Sequence, residues 1–287
     1  MRTILLRNAM GFLTTVLLGG FLAATLVRLA PGFDVDESQL DPRLGASSVE
    51  YLRQGRQAHR NIVAFYMRYW RDALHGDLGE SQMYSRPVSE LIRERAWTTV
   101  KIAGMGLAAA WVISLGLAIV VCRSRKRTVD VGTMFAAGTL LSVPAAAIGL
   151  LTVIVEGSAA IAIALIVSPR LYRYCRNLLA RAYELPHILA ARARGISETR
   201  ILLFHALPSC GRSLLAVGGV SVSIAIGAAI PVEALCNLPG IGQLAWQSAL
   251  ARDLPLLVTI TILVTVTTLA ANSCAEIVSE ALHLPQS

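Results

Sequence analysis

Apolar residues run along this chain in long charge-free blocks, separated by polar segments of unequal length. A helix needs roughly 20 apolar residues to cross a hydrocarbon core, with about 17 to 25 seen. Five blocks meet that length: 8–27, 102–122, 131–155, 213–232 and 254–275. A sixth, 158–175, reaches spanning length only by including Arg170 and Arg173, whose long stems can snorkel toward water. The pattern predicts an all-helical integral membrane protein with six spans. A five-span chain without the sixth block is the alternative. Three segments follow: the N-terminal tail with the first span (1–28), a polar connection (29–97), and a membrane core (98–287). Within the connection, Tyr51, Ile62, Phe65 and Tyr69 have helical spacing, so 49–74 is expected to hold short helices. The N-terminal block is longer than a signal-peptide core and Arg28-Leu-Ala-Pro-Gly offers no small-x-small cleavage site, which favours an uncleaved first span.

Charge sets the orientation. Arg123, Arg125, Lys126 and Arg127 crowd the link between spans two and three, and Arg residues from Arg170 to Arg212 crowd the link between spans four and five. With six spans these links share a side with Arg2 and Arg7, and the positive-inside rule makes that side cytoplasmic. The 29–97 segment then lies outside. So do the tight hairpin at Gly157 and the loop from Cys236 to Asp253.

Composition agrees. Of 287 residues, 55% are hydrophobic and 15% charged, with a mean hydropathy of +0.59; soluble domains are nearer a quarter charged. The net charge of +8 comes almost wholly from arginine. Its placement between apolar blocks, without interleaved aromatics, argues for topology and against nucleic acid. The five cysteines, Cys122, Cys175, Cys210, Cys236 and Cys274, are scattered without ligand or disulfide spacing. No phosphate-binding Gly-x-x-x-x-Gly-Lys-Ser/Thr run, His-Glu-x-x-His or Gly-x-Ser-x-Gly is present. The histidines are dispersed. Catalytic residues, a metal and a bound cofactor are therefore not expected. Glu156 and Glu233 fall at the outer ends of spans and read as solvated helix ends.

The link 176–212 is long for a connection between neighbouring spans. It reads as two short helices. The first runs from about Glu184 to Ala193 and stops at Gly195, which reaches the left-handed conformation of a helix end. The second is capped by Ser197, carries Glu198 in its first turn and is expected to end near Ala206, ahead of Pro208. Ala190 and Ala191 would let another surface come close, and Arg192 and Arg194 would meet acidic groups on it. This is the chemistry of a docking element, with a basic amphipathic helix on anionic lipid as the alternative.

Elsewhere, Pro239, Gly240 and Gly242 in Leu238-Pro-Gly-Ile-Gly242 predict a tight outer turn. Asp253 can cap span six, with Pro255 in its first turn. Pro144 can kink span three. Gly219, Ser223 and Gly227 place small residues along one face of span five, suited to a close helix contact inside the chain or with a sister subunit.

Ala190-Ala191, Gly195 and Leu207-Pro208 resemble the loop signature of membrane subunits of ATP-binding-cassette importers, with Leu189 standing at the signature's Glu and His205 at its Ile. Arg28-Leu-Ala-Pro-Gly, Leu74-His-Gly-Asp-Leu-Gly-Glu-Ser81, Arg86-Pro-Val, Leu238-Pro-Gly-Ile-Gly242 and Ala251-Arg-Asp-Leu-Pro255 resemble, in this order, the dipeptide, oligopeptide and nickel permeases. The match covers nearly the whole chain and is similar to the permease of each pair that carries a long outer loop. It implies a transport subunit without its own ATPase site, in the bacterial inner membrane. The implied partners are a second permease, two cytoplasmic ATPase subunits that use the ATP, and an extracytoplasmic binding protein. The implied substrate is a di- or oligopeptide, or else nickel or another small solute. The chain departs from this pattern between spans three and four, where the connection is short and Ala145, Ala146 and Ala147 follow Pro144. A subunit that assembles without transporting is the reading this departure leaves open.

Overall fold

A computed structural model describes residues 2–29, 62–124 and 126–281. The expected helix around Tyr51 lies outside the described residues. The described residues form these helices: α1 (Arg2–Leu29), α2 (Ile62–Ala73), α3 (Val88–Ser124), α4 (Arg127–Ser142), α5 (Ala145–Ile154), α6 (Ala159–Tyr183), α7 (Pro186–Ala193), α8 (Glu198–Ile201), a π-helical turn (Leu202–Ala206), α9 (Leu207–Leu235), α10 (Ile241–Ala251) and α11 (Leu254–Ala281). The chain divides into two compact units, residues 1–96 with 244–266 and residues 97–243 with 267–287.

In the first unit, α2 lays its apolar face on α1 and the start of α11. Phe65, Tyr66 and Tyr69 are buried with Ala24, Leu254 and Val258. The two tyrosine rings carry hydroxyls that need partners in an apolar setting. Tyr66 donates to the Leu17 carbonyl at 2.6 Å, and Tyr69 shares a hydrogen bond with Thr259 at 3.0 Å. Gly20 is small where Tyr66 and Ile262 come close; a Cβ there would stand 2.7 Å from the Tyr66 hydroxyl.

The core of the second unit is α6, packed most extensively against α9 and then against α4 and α5. α3 and α6 run parallel in a fixed register. Gly106 lies against Ala160, the Ser114 hydroxyl donates to the Ser168 carbonyl at 2.9 Å, and the Cys122 thiol donates to the Arg176 carbonyl at 3.8 Å. Each pairing is 54 residues apart. A Cβ at Gly106 would come within 2.8 Å of Ile163, so glycine permits this approach.

Among the described residues, three helices are long and apolar enough to cross a membrane: 88–124, 198–235 and 254–281. The second of these includes α8 and the π turn. α1 falls short of the same length on its described apolar stretch, Met10–Leu26, and α6 carries too many arginines to qualify. The expected third span is not one rod. α4 and α5 meet at Val143–Pro144 with a bend of 88°. Pro144 removes a backbone donor and pushes Val143 into an extended conformation, φ −77°, ψ 124°, which ends α4 rather than merely kinking it.

Pro208 does the reverse of what its position predicts. The helix continues through it into α9, where it occupies the first turn. The preceding π turn widens the backbone ladder, so the missing proline N–H and its ring are absorbed.

Candidate functional site

The segment between Tyr183 and Leu207 is built as a self-clamped pair of short helices. α7 opens on Pro186, whose fixed φ suits a first helical position, after Leu185 as N-cap. It closes in a Schellman turn: Gly195 N–H donates to Arg192 O at 2.9 Å and Ile196 N–H to Ala191 O at 3.2 Å, with Gly195 at φ +76°. Nothing lies within 4 Å of a Cβ built at Gly195, so its requirement is conformational alone. Gly195→Ala is expected to destabilise the folded chain by about 1 kcal/mol, read as a lowered midpoint of thermal unfolding in detergent.

Arg192 ties the two helices together. Its Nε donates to Glu198 Oε1 at 2.8 Å and a terminal nitrogen to Oε2 at 3.3 Å, while its guanidinium lies 5.8 Å from the centre of the Tyr183 ring. Burial pushes the Tyr183 phenol above its ordinary pKa, and the nearby Glu198 carboxylate adds to that. Arg123 donates to Thr199 at 3.0 Å, fixing α8 to the end of α3. Ser197 takes the N-cap position of α8, though without a side-chain hydrogen bond.

Burial sorts the expected docking residues. Ile188 and Ala191 are buried against Ile201 and Leu202 in the unit's core. Ala191 therefore serves internal packing, and Arg192 is engaged within the chain. The outward face of α7 holds Leu189, Ala190, Ala193 and Arg194. Leu203 and Phe204, from the π turn, are also exposed, Phe204 at 71%. Leu207 is half-buried and Pro208 exposed. The exposed apolar residues Leu203 and Phe204 escape a motif search because they lie between its fixed positions. The signal that finds them is the clash between helical periodicity and Pro208.

At the opposite end of α9, Glu233 is fully buried, correcting its reading as a solvated helix end. Its Oε2 accepts the Gly242 N–H at 2.7 Å, at the positive end of α10, while the Ile241 N–H donates to Thr99 at 2.7 Å. The Leu238–Gly242 turn is shaped around this carboxylate. A Cβ at Gly240 would collide with the Glu233 carboxylate, and one at Gly242 would stand 2.7 Å from the Ile230 Cα and 2.9 Å from Glu233 Oε2. Leu238 and Pro239 lead into the turn, with the Leu238 N–H donating to Glu233 O at 3.0 Å. Glu156, in contrast, is exposed.

In the other unit, Asp253 is fully buried. Its Oδ1 accepts the Leu256 N–H at 3.3 Å, the cap expected for α11, with Pro255 in the first turn. Its Oδ2 accepts the Ser81 hydroxyl at 2.5 Å and the Met83 N–H at 3.1 Å. Ser81 ends the Leu74–Ser81 motif, so two motifs more than 170 residues apart meet at one carboxylate. Of the small residues on α9, Gly219 packs tightly, 2.8 Å from Asn272 Oδ1 to a built Cβ; Ser223 is half-buried and Gly227 faces open space.

Residues 106–283 match the family of binding-protein-dependent transport system inner membrane components. The chain belongs to that family. As such an inner membrane component it is a multi-pass permease subunit, and the buried core of the second unit, apart from Ala103, lies within the matched region. A Brucella suis protein bearing the name of a peptide transport system permease is 28% identical over 283 residues, covering 89% of each chain. The glutathione transport system permease protein GsiC of Salmonella paratyphi A is 27% identical over 274 residues, covering 88% of each. Among solved structures, a chain of the MetNI methionine ABC transporter in an inward-facing form aligns with a TM-score of 0.58 at 19% identity, over 67% of this chain and 96% of that one. That likeness places the inner membrane component in the helical fold of an ABC transporter permease.

Proposed function

We propose that this inner membrane component forms part of the passage of a peptide importer, and that residues 186–208 couple it to a separate ATPase. The observation that carries the coupling role is the rigid α7–α8 pair. It holds Leu189 and Ala190 outward, with Leu203 and Phe204 exposed on the π turn that follows, while Arg192 and Glu198 are engaged with each other. Exposed apolar residues on a braced surface are what a partner's groove can bury. The peptide assignment is supported by the relatives named for peptide and glutathione transport.

In this reading the chain crosses the membrane six times, with the α4–α5 pair counted as one broken span and the N-terminus cytoplasmic. It assembles with a second permease, two ATPase subunits and an extracytoplasmic binding protein. ATP is bound and hydrolysed by the ATPase subunits, and this chain binds no cofactor. Closure of the ATPases moves the α7–α8 pair as a body and switches the passage from inward-open to outward-open.

The test is co-purification of the ATPase with Leu189→Arg and Phe204→Asp. Leu189 is 51% exposed, so neither change disturbs the core. Yield and thermal midpoint should match the native chain, while recovered ATPase falls at least about tenfold. Native-level ATPase recovery with both variants would remove the coupling role from this surface.

A further inference from the structure

A groove of about 400 Å³ opens between α4 and α6, lined by Leu141, Arg170, Arg173, Tyr174 and Asn177. The four polar residues recur at intervals of three and four along α6, and Arg170, Arg173, Tyr174 and Asn177 are all exposed. Among the described residues neither Arg170 nor Arg173 is paired with a carboxylate. Their neighbour Arg176 differs: it is held by Asp130 through two hydrogen bonds.

Depth makes the unpaired arginines informative. Cys122 closes the apolar stretch of α3 just before Arg123, and Arg176 is level with Cys122. At 1.5 Å per residue, Arg173 and Arg170 lie about 4.5 and 9 Å further in. Charged groups at such depth face protein or water, and mark substrate paths more often than structure.

A second observation points to water on this side of the unit. The Val143–Pro144 break stands two residues from Leu141, and both residues at the break are exposed. Non-helical backbone at membrane depth is tolerated only where protein covers it or an aqueous cavity bathes it. Broken helices beside a polar cavity are how transporters build solute sites.

We infer that the α4–α6 groove lines the aqueous passage and that Arg170 and Arg173 bind the free carboxylate of the passing solute. The assignment rests on the peptide-importer reading, since every unblocked peptide carries a C-terminal carboxylate. Guanidinium matches that group with paired hydrogen bonds. Tyr174 and Asn177 add uncharged hydrogen-bonding groups toward the cytoplasmic end.

The experiment compares uptake of radiolabelled Ala-Ala with that of its C-terminal amide in cells carrying the complete importer, at saturating concentration. The native chain is set against Arg170→Gln, Arg173→Gln and Arg173→Lys. The binding protein is the same throughout, so a change in the acid-to-amide ratio arises in the permease. The ratio is expected to fall about tenfold in both Gln variants, with Arg173→Lys closer to native. ATPase co-purification should be unchanged and shows that the complex has assembled. Equal losses for acid and amide, or no change in either, overturn the assignment. Loss of co-purifying phosphatidylglycerol with an unchanged ratio also overturns it, and identifies a lipid headgroup site instead. Failure of the native importer to take up either form, while it carries another solute, sinks the peptide reading itself.

Discussion

Asp253→Ala is expected to lower stability by about 3 kcal/mol. The carboxylate accepts three hydrogen bonds, from Ser81, Met83 and Leu256, in full burial. Bonds to a charged group contribute more than neutral ones, and truncation leaves the buried Ser81 hydroxyl without its acceptor. Met83 is 48% exposed, so water can replace its lost bond, which keeps the expected cost below the full sum. A loss of this size should lower the thermal midpoint in detergent by roughly 6–12 °C. Ser81→Ala should cost about 1 kcal/mol, because Asp253 retains its two backbone donors. Because Asp253 joins the Ser81 turn to the α11 cap, limited proteolysis near Ser81 should accelerate with Asp253→Ala. A midpoint within 1–2 °C of native, and an unchanged cleavage rate, would show that the junction is dispensable.

The Glu233 turn gives a sharper contrast, because its two glycines are crowded by different things. Gly240→Ala drives a methyl group into the Glu233 carboxylate, a side chain. Gly242→Ala drives one against the Cα of Ile230, which is backbone. Each single variant is expected to destabilise by about 2–4 kcal/mol, as overpacking at a buried, hydrogen-bonded site does. The two should part when Glu233 is also removed. Glu233→Ala clears the obstacle at Gly240, so Gly240→Ala should cost less than about 1 kcal/mol in that background. Gly242→Ala should keep most of its cost there, because Ile230 remains. Thermal unfolding of the three single variants and the two doubles forms the measurement. Equal rescue of both glycine variants, or of neither, would contradict the geometry.

The membrane character and the order of motifs are legible because they depend on local composition. Apolar blocks bounded by arginine predict helices wherever lipid is the solvent, the start of α6 follows from Ser158, and the end of α7 follows from the Gly195 turn. Glu233 and Ala191 were less legible. Glu233 stands at the end of an apolar block, where hydropathy alone suggests water; it is buried because the chain returns and presents the Gly242 N–H and the start of α10. Ala191 looks like an open surface in a small-residue pair, yet helical phase turns it inward beside Ile188.

Proline shows the same division. Pro144 and Pro208 both follow apolar helical sequence, and each forbids the same backbone hydrogen bond. At Pro144 the helix breaks by 88°. At Pro208 it runs on, because the π turn has already shifted the ladder. Sequence by itself determined that this chain lives in a membrane as helices, where the chain turns, and which motifs it shares with its family, since these follow from local propensity and hydropathy. Only the tertiary structure decided which carboxylates are buried, which alanine faces out, and which proline breaks its helix. Those outcomes depend on what another part of the chain, far away in sequence, places against each residue.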